Sequence, residues 1–469
     1  MKIKNLGQVF TPTSIVKDIL DVSNYVGENV LEKHIMENSC GNGAFLTEII
    51  ERYVNAYKEK HKTIIGVEKE LKKYIHGIEI DTEIYKSCLE NLEEKCKELN
   101  INKVSFDIRN TDSLQEQKYN EKMDFVVGNP PYVRVHNLNE QYKNVKQYSF
   151  CENGMTDLFI VFYEIGINML KENGTLCYIT PNSFYNSLAG NKLRNYIKEK
   201  QNMELLMDLG HYQPFKANTY TTICKMGKNA KFNECKYYKY DQETEKPQYI
   251  TNINYKDLFI DNNIVLSNNN SKYLKYLEYK VDSKPKVAVK NGFATLNDKV
   301  FIQNDFEFNS NTIDVIKGST GQWKKCVYPY DENGKLIPFE KLDSNVQKYF
   351  TSKKNELIKE DKKVDSTWYA FGRTQAINDV KYNKISINTC VKEIDSIKLN
   401  KVEKNQGIYS GLYMLTEIPF ETIKKYICSE EFLEYLKVLN KCKSGGYYTF
   451  SSKDLSKFIN CCMEENENE

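Results

Sequence analysis

Residues 123–127, Met-Asp-Phe-Val-Val, run directly into Gly128-Asn129-Pro130-Pro131-Tyr132, and this junction constrains the fold more than any other stretch of the chain. A run rich in β-branched and aromatic residues, ended by a glycine and two prolines, reads as a buried strand opening into a rigid loop. Open α/β sheets bind their ligands at the carboxyl ends of strands, so the loop is placed for chemistry. Its groups suit an amine. The side-chain oxygen of Asn129 and the carbonyl of Pro130, a residue with no N–H, are two acceptors side by side. An exocyclic NH2 has two donors to give them, and its lone pair is then left for an electrophile. Tyr132 can lie flat on the ring that carries the amine, a stacking contact worth about 1–3 kcal/mol. No general base is obviously required. Taken alone, the tetrapeptide could also be an Asn-Pro turn with a core tyrosine, and the surrounding sequence decides between the two.

With 469 residues the chain can hold two or three domains, each burying its own core. A net charge of +2 does not announce a nucleic-acid binder, so any basic groove must arise from local segregation of charge. No long apolar segment and no hydrophobic leader is present, so no membrane partner is expected. Thirteen cysteines, an odd count without paired spacing, point to a reducing compartment and a cytoplasmic location. No Cys-x-x-Cys has a matching partner and the five histidines are scattered, so no metal is expected.

In chain order, Gly7 to Pro12 is a loop leading into an amphipathic helix from Ser14 to Leu20. His34 to Leu46 reads as a short strand, a turn with glycines at 41 and 43, and a helix start. Such a turn lets the backbone approach a ligand closely. Glu37, just ahead of the glycines, would repel a phosphate and attract an ammonium, which indicates a cofactor bearing an amino acid. Tyr74 to Asp81 is a strand ending in carboxylates, with a helix from Glu83 to Leu99. A carboxylate at the end of a second strand can accept from ribose hydroxyls. A third unit, Val104 to Ile108, leads to Asp112, which can meet an adenine amine.

Strand, glycine turn, helix, strand, acid, helix, strand, acid, then Asn-Pro-Pro-Tyr: this order resembles the gamma class of N6-adenine DNA methyltransferases. The resemblance implies a Rossmann-like α/β S-adenosylmethionine-dependent methyltransferase domain over residues 1–230. A mixed α+β DNA target-recognition domain over residues 231–469 is implied to follow. By the same resemblance the cofactor is S-adenosylmethionine. Thr11, Glu37, Ser39, Cys40, Gly41, Gly43, Glu79, Ile80, Asp112, Ser113, Asn129 and Pro131 are the positions expected to bind it. The chain departs from the family at Asn38-Ser39, where a Pro-Ala or Pro-Ser pair is common.

The segment Asp157-Leu158-Phe159 is expected beside the cofactor adenine, on a helix that begins near Met155 and ends near Gly174. Residues 175–184 are expected to form the next strand and loop, 187–200 a helix and 205–209 a strand, and from Lys228 to Glu245 the periodicity breaks down. Asn129, Pro130, Pro131 and Tyr132 are the expected catalytic loop, and Phe215 is the expected second face of a clamp on a flipped adenine.

In the second half, Val287 to Ile302 and the segments around Trp323, Trp368 and Ser444 to Phe450 look like parts of a specificity domain. Trp323, Lys324, Arg373, Gln375 and Tyr447 are candidate contacts to DNA. The partners implied are double-stranded DNA and a separately encoded restriction endonuclease. With the N-terminal motif beginning at Gly7, modification without cleavage is expected. RNA-guanine and protein-glutamine methyltransferases share the tetrapeptide, and a catalytically dead DNA-binding module or a nicotinamide-dependent oxidoreductase are the further alternatives. The long aromatic-basic second half, the intact motifs, and Glu37 with the Asn-Pro-Pro-Tyr loop weigh against them in turn.

Overall fold

The computed structural model describes residues 11–102, 104–134, 142–151, 156–215, 219–267, 272–358, 367–443 and 445–468. Positions 7–10 of the N-terminal motif, Met155 and Ser444 therefore lie outside the described residues. Contacts divide the chain into two units, Met1–Asn270 and Ser271–Glu469.

Nine strands of the first unit form one sheet. They are β1 (Ile35–Glu37), β2 (Ile75–Glu79), β3 (Asp107–Asn110), β4 (Met123–Gly128), β5 (Leu170–Pro181), β6 (Met203–Asp208), β7 (Thr221–Gly227), β8 (Glu234–Asp241) and β9 (Lys246–Asn254). Their order is β3-β2-β1-β4-β5-β7-β6-β8-β9. The first five are mutually parallel, and β7 runs antiparallel to both β5 and β6. After β1 the chain builds outward through β2 and β3, then returns to place β4 on the other side of β1. That reversal opens a crevice at the carboxyl ends of β1 and β4.

Side chains on successive strand residues alternate between two cores. Met36 and Val126 face one, filled largely by α5 (Leu158–Met169), a helix buried on nearly every side. Ile35, Phe125 and Val127 face the other, beneath α1 (Thr13–Val22), α2 (Ala44–His61), α3 (Val67–Tyr74) and α4 (Thr82–Glu98). α1 shows the helical spacing expected of it, burying Ile15, Val16, Ile19 and Leu20. Asp81 proves to be the N-cap of α4, its Oδ1 accepting from the N–H groups of Glu83 (2.9 Å) and Ile84 (3.1 Å). A further helix, α6 (Asn191–Lys200), links β5 to β6.

The division falls at Asn270/Ser271 rather than near Ala230. Residues 234–241 add to the first sheet as β8, parallel to β6, with Cys235, Tyr237 and Tyr240 turned inward. Lysines and tyrosines in turn masked this alternation in the sequence. Two element boundaries also shift. The third strand is Asp107–Asn110, set by its pairing of Asp107 with His76. The helix after the Asn-Pro-Pro-Tyr loop ends at Met169, because Leu170 already pairs with Met123.

The second unit is mixed α+β. One four-stranded antiparallel sheet joins Ala288–Asn291, Leu412–Leu415, Lys384–Ile387 and Leu399–Val402. Another joins Ile302–Gln303, Gln322–Val327, Thr312–Lys317 and Gly407–Tyr409, over a core rich in Phe293, Phe301, Phe350 and Phe371. A small three-stranded sheet contains Tyr447–Thr449, and the helix Ser452–Asn468 closes the unit. Among the described residues no helix is long and apolar enough to cross a membrane, and no two cysteines form a disulfide.

Candidate functional site

β1 ends at Glu37, only 3% exposed, whose Oε2 has no hydrogen-bond partner among the described residues. Burial, reinforced by the neighbouring Cys88 and Glu79, pushes this carboxyl well above the usual range. The turn that follows carries Gly41 at φ +52° and Gly43 at φ +86°. A Cβ on Gly43 would stand 2.9 Å from the Cys88 sulfur of α4, so the turn is pressed against that helix. Cys40 N–H donates to the Ile78 carbonyl at 2.8 Å, and Gly41 N–H donates to Glu79 Oε2 at 2.9 Å.

Glu79 closes β2. Its Oε1 accepts from Asp81 N–H at 2.8 Å, and each carboxylate oxygen keeps a further lone pair for a ligand hydroxyl. Burial raises this carboxyl, with the Asp81 and Gly41 N–H groups opposing the rise. Beyond β3, the Asp112 Oδ1 accepts from Leu114 N–H at 2.9 Å, while the Ser113 hydroxyl donates to the Asn38 carbonyl at 2.5 Å.

β4 delivers the Asn-Pro-Pro-Tyr loop. Gly128 has φ +150°, and a Cβ there would lie 3.4 Å from Glu37 Cγ, so the two strand ends meet at this glycine. The Ser39 hydroxyl donates to the Asn129 carbonyl at 3.3 Å, and the Asn129 amide nitrogen donates to Thr11 Oγ1 at 3.1 Å. The Tyr132 hydroxyl donates to the Ile179 carbonyl of β5 at 3.3 Å. The Tyr132 ring stands edge-on to Phe215, centroids 6.2 Å apart at 79°, and also to Phe159 at 6.3 Å and 76°. Phe215 is 6% exposed, and in this arrangement the two rings do not flank a slot.

The carboxyl edge thus gathers Glu37, Ser39, Cys40, Gly41, Glu79, Ile80, Asp112 and Ser113 around the ends of β1, β2 and β3, with Gly43 heading α2 behind them. Thr11, Asn129, Pro130, Pro131 and Tyr132 lie at the end of β4. The candidates of the second unit are dispersed. Arg373 and Gln375 share one exposed loop, the backbone of Arg373 pairing with Ala294 and the Gln375 amide reaching the Gly292 carbonyl at 3.5 Å. Trp323, 44% exposed, and Lys324 lie on the strand Gln322–Val327, whereas Tyr447 belongs to the three-stranded sheet. One contributor escaped the sequence. Asn110 Nδ2 donates to the carbonyls of Glu79 (2.8 Å) and Ile80 (3.1 Å), while Asn38, the departure already visible in the sequence, is fully buried in the first turn. An asparagine at a strand end carries no distinguishing local signal.

A parallel sheet with its seventh strand reversed, a glycine turn after β1 and an acid after β2 resemble the S-adenosylmethionine-dependent methyltransferase fold. Residues 38–215 match the family model of the Eco57I restriction-modification methylase. The Type II restriction enzyme and methyltransferase RM.Eco57I of Escherichia coli is 26% identical over 79% of this chain and 48% of its own length. The Type II methyltransferase M.BstVI of Geobacillus stearothermophilus is 29% identical over 45% of this chain and 39% of its own. The chain therefore spans half or less of the length of these curated relatives. Among solved structures, the Type IIL restriction-modification enzyme MmeI in complex with DNA has a TM-score of 0.65 at 14% identity, covering 96% of this chain and 64% of that one. A nuclease-deletion mutant of the Type ISP enzyme LlaGI, with a DNA substrate mimic, has a TM-score of 0.57 at 13% identity, over 98% of this chain and 54% of that one. These two likenesses concern the fold.

Proposed function

We propose that the protein is a site-specific DNA methyltransferase acting on the N6 amine of adenine, with S-adenosylmethionine as methyl donor and double-stranded DNA as partner. The observation that carries this reading is the joining of two loops. The β1 turn and the Asn-Pro-Pro-Tyr loop meet through Ser39 and Asn129 and through Gly128 and Glu37. The cofactor fits the residues present: Glu37 Oε2, buried and without a partner among the described residues, is suited to an ammonium, and Glu79 retains lone pairs for ribose hydroxyls. When bound, S-adenosylmethionine supplies an electrophilic methyl group.

The chain's own residues do the rest. An adenine in a duplex is out of reach, so it is rotated from the stack at a cost of a few kcal/mol. Asn129 and the Pro130 carbonyl accept its two N6 hydrogens, which holds the lone pair in line and favours positive charge developing on nitrogen. Tyr132 stacks on the base, and Phe215 becomes the second face of the clamp once its edge-on pairing with Tyr132 opens to admit the ring. The proton leaves afterwards to water. In the second unit, Arg373 and Gln375 are assigned to base edges, and Trp323, Lys324 and Tyr447 to further DNA contact. Such an activity would protect DNA from a separately encoded restriction endonuclease of the same specificity.

The test is single-molecule sequencing of DNA from cells expressing the protein or its Asn129→Ala variant. N6-methyladenine in one sequence context, present only with the intact protein, is expected. Equal modification by the variant overturns the role of Asn129. Absence of any methylated motif, from protein that binds the cofactor, moves the substrate to RNA or protein.

A further inference from the structure

An apolar side chain stands outward at the end of β5. After Pro181 the chain makes a turn of 3-10 helix, Asn182–Tyr185, and a tight loop to Gly190, with Leu188 at its tip, 77% exposed. β5 neighbours β4, and the loop leaves β5 just past Ile179, whose carbonyl accepts from the Tyr132 hydroxyl. Leu188 therefore rises from the same edge as the Asn-Pro-Pro-Tyr loop.

The loop is braced. Arg194, only 4% exposed, donates through Nη1 to the carbonyls of Phe184 (2.6 Å) and Ser187 (2.7 Å) and through Nε to Asn262 (2.5 Å). Burying a guanidinium is costly, and here its bonds go to the backbone of the loop and of one neighbour. A Cβ on Gly190 would collide with the Phe184 carbonyl oxygen, so no other residue closes the turn this tightly. Phe184 and Tyr185 are buried anchors, and the Tyr185 hydroxyl donates to Thr222 Oγ1 at 2.7 Å. Leu188 is thus an exposed apolar tip on a rigid mount, preceded by the polar Asn186 and Ser187 and followed by the small Ala189.

We infer that Leu188 is a wedge for duplex DNA, inserted into the base stack beside the target adenine to help expel it. The inference rests on the DNA-methylation reading above. Apolar side chains of this kind unstack base steps when a protein distorts a duplex. A rigid mount is needed because a flexible one would fold back rather than push.

The experiment compares wild-type protein with Leu188→Ala on two duplexes carrying the motif found by sequencing. One is fully paired, and the other has the target adenine opposite an abasic site. On the paired duplex the variant is expected to lose about tenfold or more in kcat/KM, and on the abasic duplex to come within about twofold of wild type. The fluorescence rise of 2-aminopurine at the target position should fall in parallel. Leu188→Ala should leave Tm within about 2 °C, since the side chain is largely exposed. Equal rates for both proteins on paired DNA, or the same loss on both duplexes, overturn the wedge alone. Wild-type protein inactive on every duplex overturns the DNA reading and the wedge with it.

Discussion

Asn129 and Thr11, 118 residues apart, are joined by a hydrogen bond of 3.1 Å from the asparagine amide nitrogen to the threonine hydroxyl. The bond turns the carboxamide so that its nitrogen faces Thr11 and its oxygen faces away. Thr11→Val removes the acceptor and lets the amide rotate. We expect kcat to fall about tenfold, equivalent to about 1.4 kcal/mol, with cofactor affinity little changed and Thr11→Ser restoring the rate. Steady-state kinetics with each substrate varied checks this. A change confined to cofactor KM would instead assign Thr11 to the methionine carboxylate.

The role proposed for Glu37 makes cofactor binding depend on pH. Burial raises its carboxyl in the free protein, and an ammonium beside it would return it to the ionised form. Binding then releases a proton, so affinity for S-adenosylmethionine should strengthen as pH rises and weaken as pH falls. Calorimetry in buffers of different ionisation enthalpy measures the proton released. Glu37→Gln should abolish the pH dependence and weaken binding, and an analogue lacking the amino group should bind both proteins alike.

The edge-on geometry of Tyr132 and Phe215 separates stacking from packing. Tyr132→Phe loses only the hydroxyl bond to Ile179 and should keep most of its activity, while Tyr132→Ala should lose about 1–3 kcal/mol of base stacking. For Phe215, Leu is the informative replacement, because Ala would leave a cavity in a core position. A clamp role predicts a raised KM for DNA at unchanged Tm. A purely structural role predicts a lowered Tm at unchanged KM.

Stability should decline on mild acidification. At the amino ends of β1 to β3, His34 Nδ1 lies 2.9 Å from His76 Nε2, and His76 Nδ1 lies 2.9 Å from Asp107 Oδ2. With Asp107 ionised and both imidazoles neutral, every one of these contacts has one proton. A second proton on His76 would face the His34 N–H. Burial, then the nearby His76 and Lys171, hold His34 down to about 4, and burial lowers His76 also. Folded values below the unfolded value of 6.5 mean that the unfolded chain takes up protons first, so stability is full above about 6.5 and is lost as pH falls toward 4. His34 is partly solvated, so screening reduces the loss to about 1 kcal/mol. Urea midpoints at a series of pH values should fall in this window, and His34→Asn should flatten the slope.

The order of chemistry along the chain is legible in the sequence itself. A glycine turn needs Gly41 and Gly43 because their backbone angles are positive, and a strand rising into Asn129-Pro130-Pro131 is local in cause. The parallel βα half-sheet follows from the same local periodicities. Packing decided the rest. Whether residues 234–241 belong to the first sheet depended on the free edge that β6 offered, which their own lysines and tyrosines concealed. That Asn129 would rest on Thr11, that Tyr132 would meet Phe215 edge-on, and that Arg194 would brace Leu188 are relations between distant segments. Side-chain periodicity reports which face of an element is buried. Partner and angle are set only when several elements close around the same space.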